Sequence, residues 1–247
     1  VRKFINYRPF VSKTCDKRMK EIFYFTNTKK YPEVLLQDLV PLKKIKNNKG
    51  YNACFAHKWS VINKFTYKSN LDLSFKILNI GKELKIDFKD KKTHYAFDSN
   101  LLCVEGNDKI NDNNPVFQIY TDMSFICKDK VFIEMQQHPD TNSNLKLITG
   151  KFDISQWVRP LNCAFVIKNQ HQEVVIKRGD PLAIIAFYSD KINETYKLKK
   201  INPSDELINM SGSNTYASLL VSHVKALLPY SQTLLQKLIK NKKHVRK

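Results

Sequence analysis

Two histidines and a carboxylate are the residue types that hold a non-haem iron. The chain offers such a set in His138-x-Asp140 and His171, with Arg178 downstream as a cation for an oxo-acid cosubstrate. The spacing argues against it. Only 33 residues separate His138 from His171, too few for the strands such a centre would need between its ligands, and His171 sits in the polar turn Asn169-Gln170-His171-Gln172. His57, His94, His223 and His244 show no mutual ligand spacing. The five cysteines, Cys15, Cys54, Cys103, Cys127 and Cys163, are odd in number and contain no Cys-x-x-Cys pair, so neither a zinc ribbon nor a disulfide framework is expected.

A second constellation is Gly150-Lys151-Phe152-Asp153, followed by Trp157-Val158-Arg159 and later by Gly179-Asp180-Pro181-Leu182. Asp153 after a glycine suits a turn whose backbone N–H groups its side chain accepts. Trp157 and Arg159 are spaced to stack indole on guanidinium. Gly179-Asp180 reads as a hairpin turn. No Walker loop, Gly-x-Ser-x-Gly elbow or cysteine–histidine dyad occurs at a recognisable spacing.

What positions these residues follows from hydropathy patterning. The chain has 247 residues, 42% of them hydrophobic, enough for one principal core with an appended segment. The segment 1–50 reads as irregular, with a strand around Ile22-Phe23-Tyr24-Phe25 and helical spacing in Val34, Leu35, Leu39 and Leu42. A β core is expected over 51–200. Its first strands lie at Lys64–Tyr67, Leu71–Ile77, Glu83–Phe88 and Val116–Tyr120, arranged as a meander with a turn at Glu105-Gly106-Asn107-Asp108. Five more apolar runs, Val131–Met135, Leu145–Ile148, Cys163–Ile167, Val174–Ile176 and Leu182–Phe187, alternate with turn residues that include Pro160, as in a sandwich or barrel.

The segment 201–247 reads as a basic, amphipathic helical tail. A helix starts at Ser204, its stripe continues through Leu219, Leu220, Val224, Leu227 and Leu228, Pro229 breaks it, and Leu234, Leu235, Leu238 and Ile239 resume it. No acidic residue follows Glu206, so Lys237, Lys240, Lys242, Lys243, Arg246 and Lys247 are candidates for contact with nucleic acid or a protein partner.

Lysine and arginine outnumber aspartate and glutamate by 42 to 23, a formal charge of +19 that favours polyanions as partners, although an AT-rich genome would also enrich lysine. The chain has no signal-peptide-like run at its start and no stretch of eighteen apolar residues, so neither export nor a membrane span is expected, and a reducing cytoplasm fits the cysteines.

The Gly150–Asp153, Trp157–Arg159 and Gly179–Leu182 pieces resemble, over about 40 residues, the third conserved stretch of the trimeric dUTPase and dCTP deaminase fold. That resemblance implies a distorted jelly-roll or barrel and a trimer. It also implies Asp153 as the carboxylate that polarises the attacking water, Trp157 and Arg159 as ligand contacts, and magnesium for the phosphates. The pattern departs from that family where an arginine-serine-glycine loop would bind phosphate: here stands Gln136-Gln137-His138-Pro139-Asp140, and no glycine-rich arm follows downstream. The chain is also similar to uncharacterised proteins of T4-like and marine bacteriophages, through Ala53-Cys54-Phe55, Val131–Pro139, Gly150–Asp153 and Gly179–Leu182. That similarity implies phage origin, in the host cytoplasm or the virion, but no activity. The reading that follows is a mostly β, non-enzymatic binding or assembly protein without a cofactor, contacting nucleic acid, a virion protein or copies of itself. The alternative is a divergent nucleotide enzyme built on Asp153.

Overall fold

Every second residue of Pro160–Ile167 is buried, the pattern of a strand with one face on a core. The same logic builds most of the molecule. The computed structural model describes residues 19–26, 39–42, 60–80, 83–89, 91, 102–105, 115–191 and 194–217. In chain order these form β1 (Met19–Thr26), β2 (Val40–Pro41), β3 (Lys64–Lys68), β4 (Leu73–Ile80), β5 (Glu83–Phe88), β6 (Leu102–Glu105) and β7 (Val116–Ile126). There follow β8 (Phe132–Gln137), β9 (Leu145–Leu147), β10 (Lys151–Asp153), β11 (Pro160–Ile167), β12 (Val174–Ile176), β13 (Pro181–Tyr188), β14 (Thr195–Lys200) and the helix α1 (Asp205–Ala217).

The protein is mostly β, and its strands form three sheets. The largest runs β14-β1-β7-β11-β9, with β6 also paired to β7; the second runs β10-β8-β13-β3-β2; the third runs β12-β4-β5. A single cluster of buried side chains draws on all three. Phe125 of the first sheet meets Phe187 of the second with ring centroids 5.5 Å apart, and Phe117 meets Phe75 of the third at 4.9 Å. Edge-on and tilted ring pairs of this kind add about 0.5–1.5 kcal/mol each beyond the area they bury.

Ile22-Phe23-Tyr24-Phe25 is apolar on both faces because both faces are covered. Ile22 and Tyr24 enter the main core, while Phe25 joins Ile126, Val158, Leu207 and Met210 in a second cluster under α1, with Phe23 packed against it. The helix begins where the sequence places it: Ser204 Oγ accepts the Leu207 N–H at 3.3 Å, and Asp205 and Glu206 lie at its positive end. A buried hydroxyl pair, Ser124 and Ser211 at 2.6 Å, fixes α1 to β7. Asp205–Ala217 contains no lysine or arginine, so the cationic part of the expected tail, with Lys237, Lys240, Lys242, Lys243, Arg246 and Lys247, lies outside the described residues.

Five expectations are corrected. The helical spacing ending at Leu42 does not continue as helix, since Val40–Pro41 is strand β2, paired to β3. The early strands are not a meander: β3 pairs with β13 and β2, whereas β4 pairs with β5 and with β12. Glu105 closes strand β6, and Pro160 opens β11, the strand position that tolerates a residue without an N–H. Gly179-Asp180 is not a hairpin turn, because β12 and β13 on either side of it belong to different sheets. It is a turn between sheets, closed by the Asp180 N–H donating to Lys177 O at 3.0 Å, with Gly179 at φ 93°, a backbone region that favours glycine. Among the described residues no helix is long and apolar enough to cross a membrane.

Candidate functional site

Asp153, Trp157 and Arg159 lie where the chain leaves β10 and crosses to β11 in the opposite sheet. Asp153 Oδ1 accepts the Ser155 N–H at 2.9 Å and the Ser155 hydroxyl at 2.6 Å, and the Asp153 carbonyl accepts the Trp157 N–H at 2.9 Å. The carboxylate thus closes the turn that its sequence suggests. One residue further on, Val158 is fully buried in the cluster beneath α1 and anchors the crossing.

The Trp157 ring packs edge-on to Phe152 at 5.6 Å, and the Arg159 guanidinium lies over the Trp157 ring at 4.7 Å and the Phe152 ring at 5.9 Å. Stacking of this kind is worth about 0.5–1 kcal/mol near a surface. No carboxylate pairs with Arg159 among the described residues, and partial burial lowers its pKa by penalising the charged form. Trp157 Nε1 is buried without a partner among the described residues. The three residues are therefore brought together, as a structural crossing with an aromatic–cation stack on it.

Beside it, the solvent-side face of the second sheet carries further rings and cations. Register places Tyr188 opposite Phe132, and Ala186 opposite Glu134, which in turn pairs with Lys151. Lys151 Nζ lies 5.0 Å from the Phe132 ring centre and 5.7 Å from that of Tyr188. Lys130 covers Phe132 from the other side at 5.3 Å while bridging to Asp190 at 3.1 Å.

The far end of the same face holds a cavity of about 540 Å³, lined by residues in and next to β2, β3, β8's exit and β13 that include Val40, Leu42, Val61, Thr66, Lys68, His138 and Ile184. β8 runs from Phe132, paired with Asp153, to Gln137, so about 20 Å of strand separates the two regions. His138 follows β8 directly and is 7% exposed. Its Nδ1 accepts the Asp140 N–H at 3.1 Å, which leaves the ring's proton on Nε2. Burial lowers its pKa, outweighing Asp140, whose carboxylate lies 3.8 Å from Nδ1 and is mostly exposed. The Thr141 hydroxyl donates to Leu182 O at 2.9 Å and locks this turn to β13.

Of the iron-type set, His138 and Asp140 are neighbours, but His171 is not brought to them. It stays in its own turn, where its N–H donates to Asn169 Oδ1 at 3.0 Å, and no group of three metal-ligating side chains forms among the described residues. The Arg178 N–H is tied to Asp72 Oδ1 at 2.8 Å. Cys127 and Cys163 are buried, and burial pushes their thiols up to about 11 and about 12, so neither is a ready thiolate. Sequence reasoning missed Thr66, which looked like an ordinary member of an alternating strand, and Lys68, which fell just past the expected end of that strand at Tyr67. No protein-family model matches the chain, and no curated protein matches it significantly.

Proposed function

We propose that this is a phage-encoded, non-enzymatic binding or assembly protein with a dUTPase-like, distorted jelly-roll fold, whose basic surface contacts nucleic acid or a virion partner. The observation that carries this reading is the commitment of the Asp153 carboxylate to the Ser155 N–H and hydroxyl. Both bonds fall on Oδ1, and a nucleotide enzyme also needs free backbone amides beside its general base to hold phosphate. Here the amide nearest the carboxylate is spent on the turn. The sheets enclosing one shared core agree with a jelly-roll, and the charge of +19 agrees with a polyanionic partner.

Binding of the full chain to single- and double-stranded DNA, measured against salt, tests the proposal. The expected result is an affinity that falls steeply as salt rises, with a shallower slope after deletion of residues 231–247. A thermal-shift and turnover screen against deoxynucleoside triphosphates with magnesium supplies the counter-test. Pyrophosphate release that disappears in Asp153→Asn would overturn the non-enzymatic reading and make the chain a nucleotide enzyme.

A further inference from the structure

The cavity at the β3–β13–β8 end holds polar groups that have no partner among the described residues. Thr66 is 8% exposed and His138 is 7% exposed, yet neither the Thr66 hydroxyl nor His138 Nε2 has a hydrogen-bond partner among the described residues. Buried polar groups are normally paired, because an unpaired one costs about 1–3 kcal/mol. The described side-chain atoms that are sealed from solvent without a partner belong to Asn70, Trp157 and Asn162. The Thr66 hydroxyl and His138 Nε2 must therefore reach open space, and the space their residues border is this cavity.

A third donor stands with them. Thr66 and Lys68 are two apart on β3 and share its outer face, and Lys68 has no acidic partner among the described residues. β3 and β8 flank β13, with Lys68 paired to Pro181 and Gln137, the residue before His138, paired to Ala183, so Lys68 and His138 lie at the same end of the sheet and line one cavity. A single anionic group seated there would meet side chains from both strands. An ammonium, an imidazole N–H and a hydroxyl are together a donor-rich set, suited to a carboxylate or phosphate. Around them Val40, Pro41, Leu42, Val61 and Ile184 form apolar walls. At about 540 Å³ the cavity has the size of a small-molecule site, in which a few polar groups orient a mainly apolar ligand.

We propose that this cavity binds a small organic anion, with its carboxylate or phosphate head on Lys68, His138 Nε2 and the Thr66 hydroxyl and a ring-sized apolar body against Val40, Leu42, Val61 and Ile184. Asp140 stands on the rim, mostly exposed, so water screens its repulsion of the head. This site is separate from the nucleic-acid or partner contact proposed above.

Calorimetric titration of the full chain with 1-naphthyl phosphate, 1-naphthoate and neutral 1-naphthamide tests it. The expected result is one site per chain that takes at least one of the two anions about tenfold or more tighter than the amide. Whichever anion binds tighter identifies the head. Lys68→Met and Thr66→Val should each weaken that anion several-fold, and Val61→Phe should block its body, all with thermal midpoints near that of the parent. Failure of both anions to bind at millimolar concentration, equal binding of the amide, or full affinity in Lys68→Met would each overturn the assignment.

Discussion

The two ends of one sheet face use similar residues for opposite purposes. At the β10 end, Asp153, Trp157 and Arg159 are absorbed in a crossing between sheets: the carboxylate closes the turn, the indole packs on Phe152, and the guanidinium lies over both rings. At the β3–His138 end, Thr66, Lys68 and His138 border a cavity with donors that have no partner among the described residues. Chemistry-bearing residue types are thus a poor guide to function on their own. What separates the two ends is whether the side chains are packed into a turn and a ring stack or border open space.

The largest expected effect falls on the structural end. Trp157→Ala removes the contacts with Phe152 and Arg159 and should cost about 2–3 kcal/mol of stability in urea unfolding, below the full cost of a completely buried ring because Trp157 is only half-buried. Lys68→Met, at the other end, should change stability by less than about 0.5 kcal/mol. A reversal of these two results would break the contrast.

The two glycines of the motif separate next. Gly179, at φ 93°, should lose about 1 kcal/mol when changed to alanine. At Gly150 an added Cβ would meet only Met135 Cε at an ordinary 3.6 Å, so Gly150→Ala should be nearly neutral. Parallel melting curves of the two variants decide it.

A pH effect sharpens the cavity end. His138 is held neutral, with its folded pKa below the ordinary value of 6.5 because burial penalises the imidazolium. The unfolded chain then binds more protons between the two values, so this contribution is complete above about pH 6.5 and is lost as pH falls through that window. The wild type should lose more stability between pH 7 and pH 5 than His138→Gln does. Equal slopes would mean that the ring is protonated as readily folded as unfolded.

Much of the fold was legible, and the misses have physical causes. Strands with one or two buried faces announced themselves, as in Cys163–Ile167 and Ile22–Phe25. β14 did not, because Thr195–Lys200 is an edge strand with three lysines and little of it fully buried. β10 escaped because three residues carry no periodicity. The turn role of Asp153 was readable locally, since the bond to Ser155 spans two residues. The cavity was not readable, because it is assembled from around β2, β3, β13 and the exit of β8, and only tertiary pairing brings Lys68 and His138 to the same end of the sheet.

The most direct measurement is the unfolding free energy of Asp153→Ala and Asp153→Asn beside the wild type. A turn-closing carboxylate that accepts two hydrogen bonds should make alanine about 1–2 kcal/mol less stable and leave asparagine, which still accepts them, within about 0.5 kcal/mol. A carboxylate held for catalysis is usually kept at a cost to stability. Either variant proving more stable than the wild type would contradict the structural role assigned to Asp153.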